Sequence, residues 1–474
     1  MSLPIALDRI PGRAIRLISI IGVTILAGCA TYYQTNQSFN KEFESGNLDQ
    51  AFNVLQRSPG EKRGKDKFLY YVNNGLVLSL LGRYEESNEY FEKAFLYGED
   101  YRMKYLNEAA SYLTNPNLTE YKGEDHEHIL LLYYKALNYL KLGNTDDALV
   151  ECRRLNLRLQ QLSDRYQSEN KYRRDAFVHT LMGIIYDADK DYNNAFIAYR
   201  NALEIYEEDY SRLFNLSAPT QLKKDLLRTA YLAGMSEEAE EMKGRLNMAD
   251  YEFINQEGGE LVFFWHNGLS PIKTEWSLNF ALNRNGNHVL ISSADFGWQY
   301  GFDISTYNEK DKQDLHSLEF FRVAFPKYVE RPVQFQHATL SRDGNSYDLE
   351  LLEDVNRVAF KCLQERMNIE FSKALIRVAL KKASEYQLRK EDKNLGSLLG
   401  VVNALTEQAD TRNWQTLPHN IYYARVPLQA GINSVKFQLN DFRGQSNQLE
   451  FTYDCKKGQT LFHTFSSLES GFPK

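Results

Sequence analysis

At 474 residues the chain is too long for one ordinary hydrophobic core and calls for about two or three domains. Hydrophobic residues make up 43% and charged residues 25%, which excludes a disordered chain and fits a soluble globular one. The net charge of −7 excludes the basic footprint that nucleic-acid binding needs, and with it adhesion to anionic lipid through charge. Tyr and Phe number 31 and 27, which favours packed helical repeats and aromatic-rich strands.

The first element in chain order is a targeting signal. Arg9, Arg13 and Arg16 precede an apolar run of eleven residues from Leu17 to Ala27, and the composition turns polar at Thr31, Gln34, Thr35, Asn36 and Gln37. Such a run falls short of the roughly 20 residues that span a bilayer. Its ending, Leu26-Ala27-Gly28-Cys29, resembles a bacterial lipobox. The resemblance implies that residues 1–28 are a cleaved signal peptide and that the Cys29 thiol carries diacylglycerol. The new amine would be acylated, and residues 29–38 would form a lipidated tether. An ordinary signal peptide cut near Ala27, or a signal anchor, is the alternative. Residues 1–28 carry three Arg and one Asp, a net of +2, which leaves −9 on the mature chain. Membrane attachment therefore falls to the acyl chains, of which about two suffice for stable anchoring. Ala30 follows the cysteine where Asp would signal inner-membrane retention. Lipoprotein sorting then implies the outer membrane, lipid-anchored in its inner leaflet and facing the periplasm.

Residues 39–250 repeat. The clearest unit, Phe68 to Gly98, has Gly75 and Leu78, a turn at Leu81-Gly82-Arg83-Tyr84, then Ser87, Phe91 and Ala94. A second has Ala136 and Tyr139, Leu142-Gly143-Asn144, then Ala148, Cys152 and Leu155. A third has Gly183 and Tyr186, Asp189-Lys190-Asp191-Tyr192, then Ala195, Tyr199 and Ala202. Weaker units surround Gly46-Asn47-Leu48 and Ala233-Gly234-Met235. These units resemble tetratricopeptide repeats, in which small residues let two helices approach and an aromatic ring wedges between them. Each pair keeps an apolar face that only a neighbour covers, so the array should stack into an α-solenoid with a groove for protein partners. The turns at 46, 82, 143, 190 and 234 are spaced more widely than the usual 34 residues, so the helices are long or carry inserted loops. The longest interval holds a break at Asn115-Pro116 and the run Glu124-Asp125-His126-Glu127-His128. Glu124, His126, Glu127 and His128 have metal-ligand chemistry. We read them instead as a solvated loop and helix start, where the helix dipole favours carboxylates.

Cys152 occupies a repeat core position. Cys362 and Cys455 could pair in an oxidising compartment, but we read them as buried free thiols. The sequence has no zinc-type cysteine spacing, and we expect no metal and no cofactor.

The helical period stops at Asn255-Gln256-Glu257-Gly258-Gly259-Glu260, and residues 257–474 read as an α+β domain. Strands are expected at Leu261–Trp265, His288–Ser292, Phe320–Phe325 and Val333–Leu340. Helices are expected from Leu352 to Ala383, slipping period near Met367, and from Leu395 to Leu405. Strands return at Ile421–Val426, Val435–Leu439, Leu449–Tyr453 and Leu461–Phe465. The fold class is thus mainly α: a tetratricopeptide-like solenoid followed by an α+β domain.

Two runs stand out there. Glu260-Leu261-Val262 precedes His266-Asn267-Gly268-Leu269-Ser270-Pro271, and Ala409-Asp410-Thr411-Arg412-Asn413-Trp414-Gln415-Thr416-Leu417-Pro418 follows the helices. With the lipobox and repeats they resemble an uncharacterised family of bacterial tetratricopeptide-repeat lipoproteins, which implies a cell-envelope role without an assigned reaction. Asp410, Arg412, Trp414 and His266 are the candidate binding residues. Arg412 could clamp an anion against a Trp414 wall, since its planar fork suits carboxylate or phosphate. The reading we take is an internal Asp410–Arg412 ion pair and a Trp414 core plug. His266, His337 and His463 are candidate general bases, but no GxSxG, HExxH or paired-carboxylate motif accompanies them. Lys456 and Lys457 could lower the pKa of Cys455, again without an oriented base. The expected function is a membrane-anchored, non-enzymatic adaptor that meets envelope proteins through the repeat groove. A cell-wall or envelope-glycan enzyme and a structural subunit of an envelope assembly are the alternatives.

Overall fold

The structure is a computed structural model. It describes residues 31–58, 64–105, 120–165, 172, 174–254, 258–293, 298–309, 312, 320–365, 379 and 409–468. The signal segment, Cys29, the Asn115-Pro116 break and the expected Leu395–Leu405 helix lie outside the described residues.

The helices come first. They are α1 (Tyr32–Thr35), α2 (Gln37–Glu44), α3 (Leu48–Arg57), α4 (Lys67–Leu80), α5 (Tyr84–Tyr105) and α6 (Asp125–Lys141). There follow α7 (Thr145–Arg165), α8 (Ala176–Ala188), α9 (Tyr192–Ile205), α10 (Ser211–Phe214), α11 (Thr220–Leu232) and α12 (Ser236–Arg245). Five helix pairs turn in one way. The turn residues Gly46, Gly82, Gly143, Lys190 and Gly234 all have left-handed φ, between +64° and +79°. In each case the next residue donates its N–H five residues back. Arg83 N–H reaches the Leu78 carbonyl at 2.9 Å, and Asp191 N–H reaches that of Tyr186 at 2.8 Å. This helix end favours glycine because a side chain is strained there. The close approach lies inside the pairs. A Cβ on Gly75 would sit 2.7 Å from the Phe91 ring, and one on Gly183 would sit 2.5 Å from that of Tyr199. The pairs are therefore tetratricopeptide-like, and the N-terminal half is a helical solenoid.

The twelve described strands form three four-stranded sheets. The first has the order β12-β1-β9-β8, with β1 (Gly259–Asn267), β8 (Glu350–Asp354), β9 (Asn420–Leu428) and β12 (Thr460–Ser467). β1 runs parallel to β12 and antiparallel to β9. The second has the order β11-β10-β6-β7, with β6 (Phe335–Arg342), β7 (Asn345–Asp348), β10 (Gly431–Asp441) and β11 (Ser446–Cys455). The third has the order β4-β3-β2-β5, with β2 (Ile272–Asn285), β3 (His288–Ser293), β4 (Trp298–Asp303) and β5 (Phe320–Val329). Leu352, expected to begin a helix, ends instead in β8; residues 355–365 that follow are helical. The strand is acidic, Glu350-Leu351-Leu352-Glu353-Asp354, so propensity hid it.

The first sheet is buried on both faces, which explains the unbroken apolar run of β1. Leu261, Phe263 and Trp265 pack on Phe335, Leu340, Phe437 and Leu439 of the second sheet. The alternate residues Val262 and Phe264 join Ile421 and Tyr423 of β9 in the core of the helical repeats. The molecule is thus layered as helices, first sheet, second sheet, with one core running from the repeats into the first sheet. The third sheet has its own core around Leu278, Phe280, Ile291 and Phe325.

Two expectations are corrected here. The described part of the tether is folded: Thr31 and Gln34 form a capping box, and Tyr32 N–H donates to Thr411 Oγ1 at 3.1 Å. The repeat groove is filled by the chain's own strands, because the repeat helices α4, α6, α8 and α11 face the first sheet. Tyr133 lies against Phe264 and His266, and Asp187 and Asp225 lie against Arg425.

Candidate functional site at the joint of the two halves

The sequence signatures converge on one joint. Residues 409–418 form an irregular strap leading into β9, laid across the repeat helices. Arg412 is the first clamp. Its Nε and Nη2 donate to the two oxygens of Asp410 at 2.9 and 2.8 Å. Its Nη1 donates to the Lys65 carbonyl at 2.9 Å and to Asp66 at 3.2 Å. The guanidinium also lies over the Tyr121 ring. Trp414 is fully buried, tilted between Phe91 and Tyr134 at 6.0 and 6.1 Å. Thr416 and Gln415 reach Asn73 and Asn40 of the helices at 2.8 and 2.9 Å.

Glu127 receives the strap. Its Oε1 accepts Trp414 N–H at 2.6 Å, and its Oε2 accepts the Tyr121 hydroxyl at 2.8 Å and Glu124 N–H at 3.0 Å. Burial, then the charge of Glu124, push its carboxyl up to about 7. Glu124 pairs with the buried Lys273 of β2, whose backbone N–H donates to Asn413 Oδ1 at 3.2 Å. The reading of Glu124 to His128 as a solvated helix start is corrected. The segment does start a helix, but Glu124, His126, Glu127 and His128 are all buried: the strap meets Glu127, Lys273 of β2 meets Glu124, Tyr328 of β5 meets His126 and Phe68 of α4 meets His128. They also diverge: His128 Nε2 bonds the Lys122 carbonyl at 2.7 Å while its ring packs on Phe68. Among the described residues no cluster of His, Cys, Asp or Glu could hold a metal ion.

His266 belongs to the same joint. On β1 it shares the face of Val262 and Phe264, so it points at α6. Its Nε2 bonds the Tyr133 hydroxyl at 2.8 Å, and its Nδ1 lies 3.3 Å from the Tyr134 hydroxyl. Burial, helped by Lys141, pushes its pKa down to about 3, so it is neutral at physiological pH. Ser270, in the same motif, donates its N–H to the Leu417 carbonyl at 2.7 Å, and its own carbonyl accepts Arg331 Nε at 2.8 Å. Arg412, Trp414 and His266 are therefore buried, and Asp410 partly buried, parts of one internal joint. Cys152, Cys362 and Cys455 are buried free thiols, and burial raises the pKa of each.

Comparison with known proteins adds little beyond the repeats. No family model matches the chain, and no curated protein does. Similar solved structures include MamA from Desulfovibrio magneticus RS-1, at 14% identity over 45% of this chain and 91% of that one, TM-score 0.28. A Rap protein complexed with competence and sporulation factor matches at 17% identity over 46% of this chain and 53% of that one, TM-score 0.27. BtubC from P. vanneervenii matches at 16% identity over 47% and 80%, TM-score 0.26. The repeat architecture rests on the helix pairs described above.

At the far end of the same sheet face lies a cluster that the sequence reading missed. Arg425 of β9 pairs with Asp187 at 2.9 Å, with Asp225 at 3.0 Å and with Glu260, and donates to the Tyr199 hydroxyl at 3.1 Å. Arg228 joins through Asp187, and Tyr423 donates to Asp225. The cluster floors a crevice of about 410 Å³ whose rim includes Lys190, Tyr192, Lys224, Tyr251 and Gln459. The available signal was Arg425 itself, the one charge in the otherwise uncharged run Ile421–Val426. A buried arginine demands carboxylate partners.

Proposed function

We propose that the chain is a lipid-anchored adaptor of the bacterial cell envelope, without enzymatic activity, held through Cys29 in the outer membrane and facing the periplasm. The lipobox resemblance supports the anchor, and Ala30 supports the outer membrane. One observation carries the adaptor reading. The polar residues of both C-terminal signatures are spent on a joint that locks repeats and sheets into one body. That is the chemistry of a rigid platform. Partners meet its outer surfaces, since the inner face of the repeats is occupied. The second helices of the pairs expose Leu96, Val150, Leu157 and Ile197 on that outer side. An envelope-glycan enzyme acting at the Arg425 crevice would find the guanidinium already bound by three carboxylates. The full-length protein should be cross-linked in intact cells and purified from solubilised membranes. Recovery with a stoichiometric envelope protein supports the adaptor. Recovery alone, together with turnover of envelope glycan by the purified protein, would overturn it.

A further inference from the structure

The distance between the anchor and the fold is set by very little chain. Only Ala30 separates Cys29 from Thr31, the residue that caps α1. An extended chain advances at most about 3.3–3.6 Å per residue, so Thr31 Cα lies within about 7 Å of Cys29 Cα. That is about the thickness of one lipid headgroup layer, the difference between a hydrocarbon core of roughly 30 Å and a full bilayer of roughly 40–45 Å.

α1 is held to the body. Tyr32 N–H bonds Thr411 of the strap, and the Tyr32 ring packs against the core. Asn40 Nδ2 donates to the Tyr33 carbonyl at 3.0 Å, and Tyr33 donates its hydroxyl to Glu44 at 3.2 Å. Glu44 in turn pairs with the buried Arg331 at 2.8 Å. Three acidic groups of this region share two guanidinium groups: Glu44 pairs with Arg331, and Asp66 and Asp410 both pair with Arg412; Glu275 accepts the Ala409 N–H at 2.7 Å. Three of the local carboxylates are thus each in contact with a cation, which lowers but does not cancel the negative charge facing anionic headgroups.

We propose that the face carrying Thr31, Gln34, Thr35 and the Asp410–Arg412 loop lies against the headgroups of the membrane that anchors the chain. The inference rests on the lipid anchor at Cys29. It makes the protein a stand fixed on the bilayer, with one orientation for repeats and sheets alike, because α1 is bonded to the joint between them. The joint residues Thr411 and Arg412 then couple the anchor to both halves.

The test uses full-length acylated protein in vesicles of phosphatidylethanolamine and phosphatidylglycerol containing nitroxide-headgroup lipid. Thr35→Cys, at an exposed position, takes a fluorophore, since the other cysteines of the mature chain are acylated or buried. A second preparation carries Ser38→Cys, also at an exposed position, as an independent site. Each is compared with the same variant bearing a Gly/Ser spacer of about 20 residues between Ala30 and Thr31, whose reach is roughly 25 Å. Quenching is expected to fall several-fold on adding the spacer. Equal quenching with and without it at both sites, with Cys29 shown by mass spectrometry to be acylated, would overturn this inference alone. An unmodified Cys29 would overturn the anchor and this inference with it.

Discussion

Glu127 accepts the backbone N–H of Trp414 at 2.6 Å across 287 residues of chain. The contact joins the start of the α6 helix to the strap, and so joins the two halves of the molecule. Glu127→Ala removes the acceptor for three buried donors: Trp414 N–H, Glu124 N–H and the Tyr121 hydroxyl. Each buried donor left unmade costs about 1–3 kcal/mol, so the loss should be large and show as a lower unfolding midpoint. Glu127→Gln keeps an acceptor oxygen and should lose less.

The same residue gives a pH test. Its folded pKa is raised from 4.5 to about 7, so between those values the folded chain holds a proton that the unfolded chain has released. Stability from this group therefore falls as pH rises through that window and is level above it. Denaturant titrations of wild type and Glu127→Gln from pH 4 to 8 should give a difference that changes across the window. A flat difference would refute the burial account.

Much of the fold was legible, and the reasons are local. The turns at Gly46, Gly82, Gly143 and Gly234 announced themselves because few residues other than glycine take a left-handed helix end. β1 was legible because burial on both faces leaves an unbroken apolar run. β2 was legible but passed over: Trp276, Leu278, Phe280 and Leu282 alternate with Ser277, Asn279, Ala281 and Asn283, the period of a strand with one wet face. The joint was half legible. Asp410 and Arg412 are adjacent enough to suggest each other, whereas Glu127 and Lys273 find partners far along the chain. Sequence spacing carries no trace of such contacts. The filled groove was not legible, since an apolar repeat face looks the same whether a partner or the chain itself covers it.

Gly75 and Gly82 separate two reasons for glycine within one helix pair. A Cβ at Gly75 meets the Phe91 ring at 2.7 Å, so even Gly75→Ala overpacks the pair, and Gly75→Leu should cost about 1–3 kcal/mol or more. At Gly82 the space is open, and the cost comes from φ of +77° alone. Gly82→Ala should therefore cost about 1–2 kcal/mol, with little further loss on going to a larger side chain. Thermal unfolding of Ala and Leu variants at both sites checks this. A steep size dependence at Gly82 would count against it.

Arg412 and Trp414 should behave as structural residues. Arg412→Ala leaves Asp410 and Asp66 without their cation, and breaking such a pair where it is fully buried costs about 3–5 kcal/mol. These carboxylates keep some solvent contact, so the lower part of that range is expected. Trp414→Ala empties a fully buried site, at about 3–5 kcal/mol. Both changes should loosen the two halves from each other, seen as faster amide exchange in β1, β9 and α6 of the full-length protein. Wild-type exchange in those elements after either substitution would remove the strap from the joint.

Tyr210 holds two carboxyl groups at once. Its hydroxyl lies 2.9 Å from Asp175 Oδ1 and 2.9 Å from Glu353 Oε2, yet it has one hydrogen to donate. Tyr172 donates to the other oxygen of Asp175. Glu353 on β8 is then the group left short of a donor. Burial first, and then the charge of Asp175, push its carboxyl well above the ordinary range, with Asp354 adding to the effect. The folded chain keeps that proton at pH values where the unfolded chain has lost it. Stability from this site is accordingly full below the ordinary glutamate pKa of about 4.3 and declines as pH rises through the folded value. Glu353→Gln supplies a neutral side chain of the same shape with its own N–H donors, so it cannot deprotonate. The variant should match wild type near pH 4.5 and exceed it at pH 8, by about 1.4 kcal/mol for each pH unit over which the wild-type proton is held against solution. Denaturant unfolding of both proteins at the two pH values measures this, and a variant less stable than wild type at pH 8 would mean that Glu353 is held as an anion.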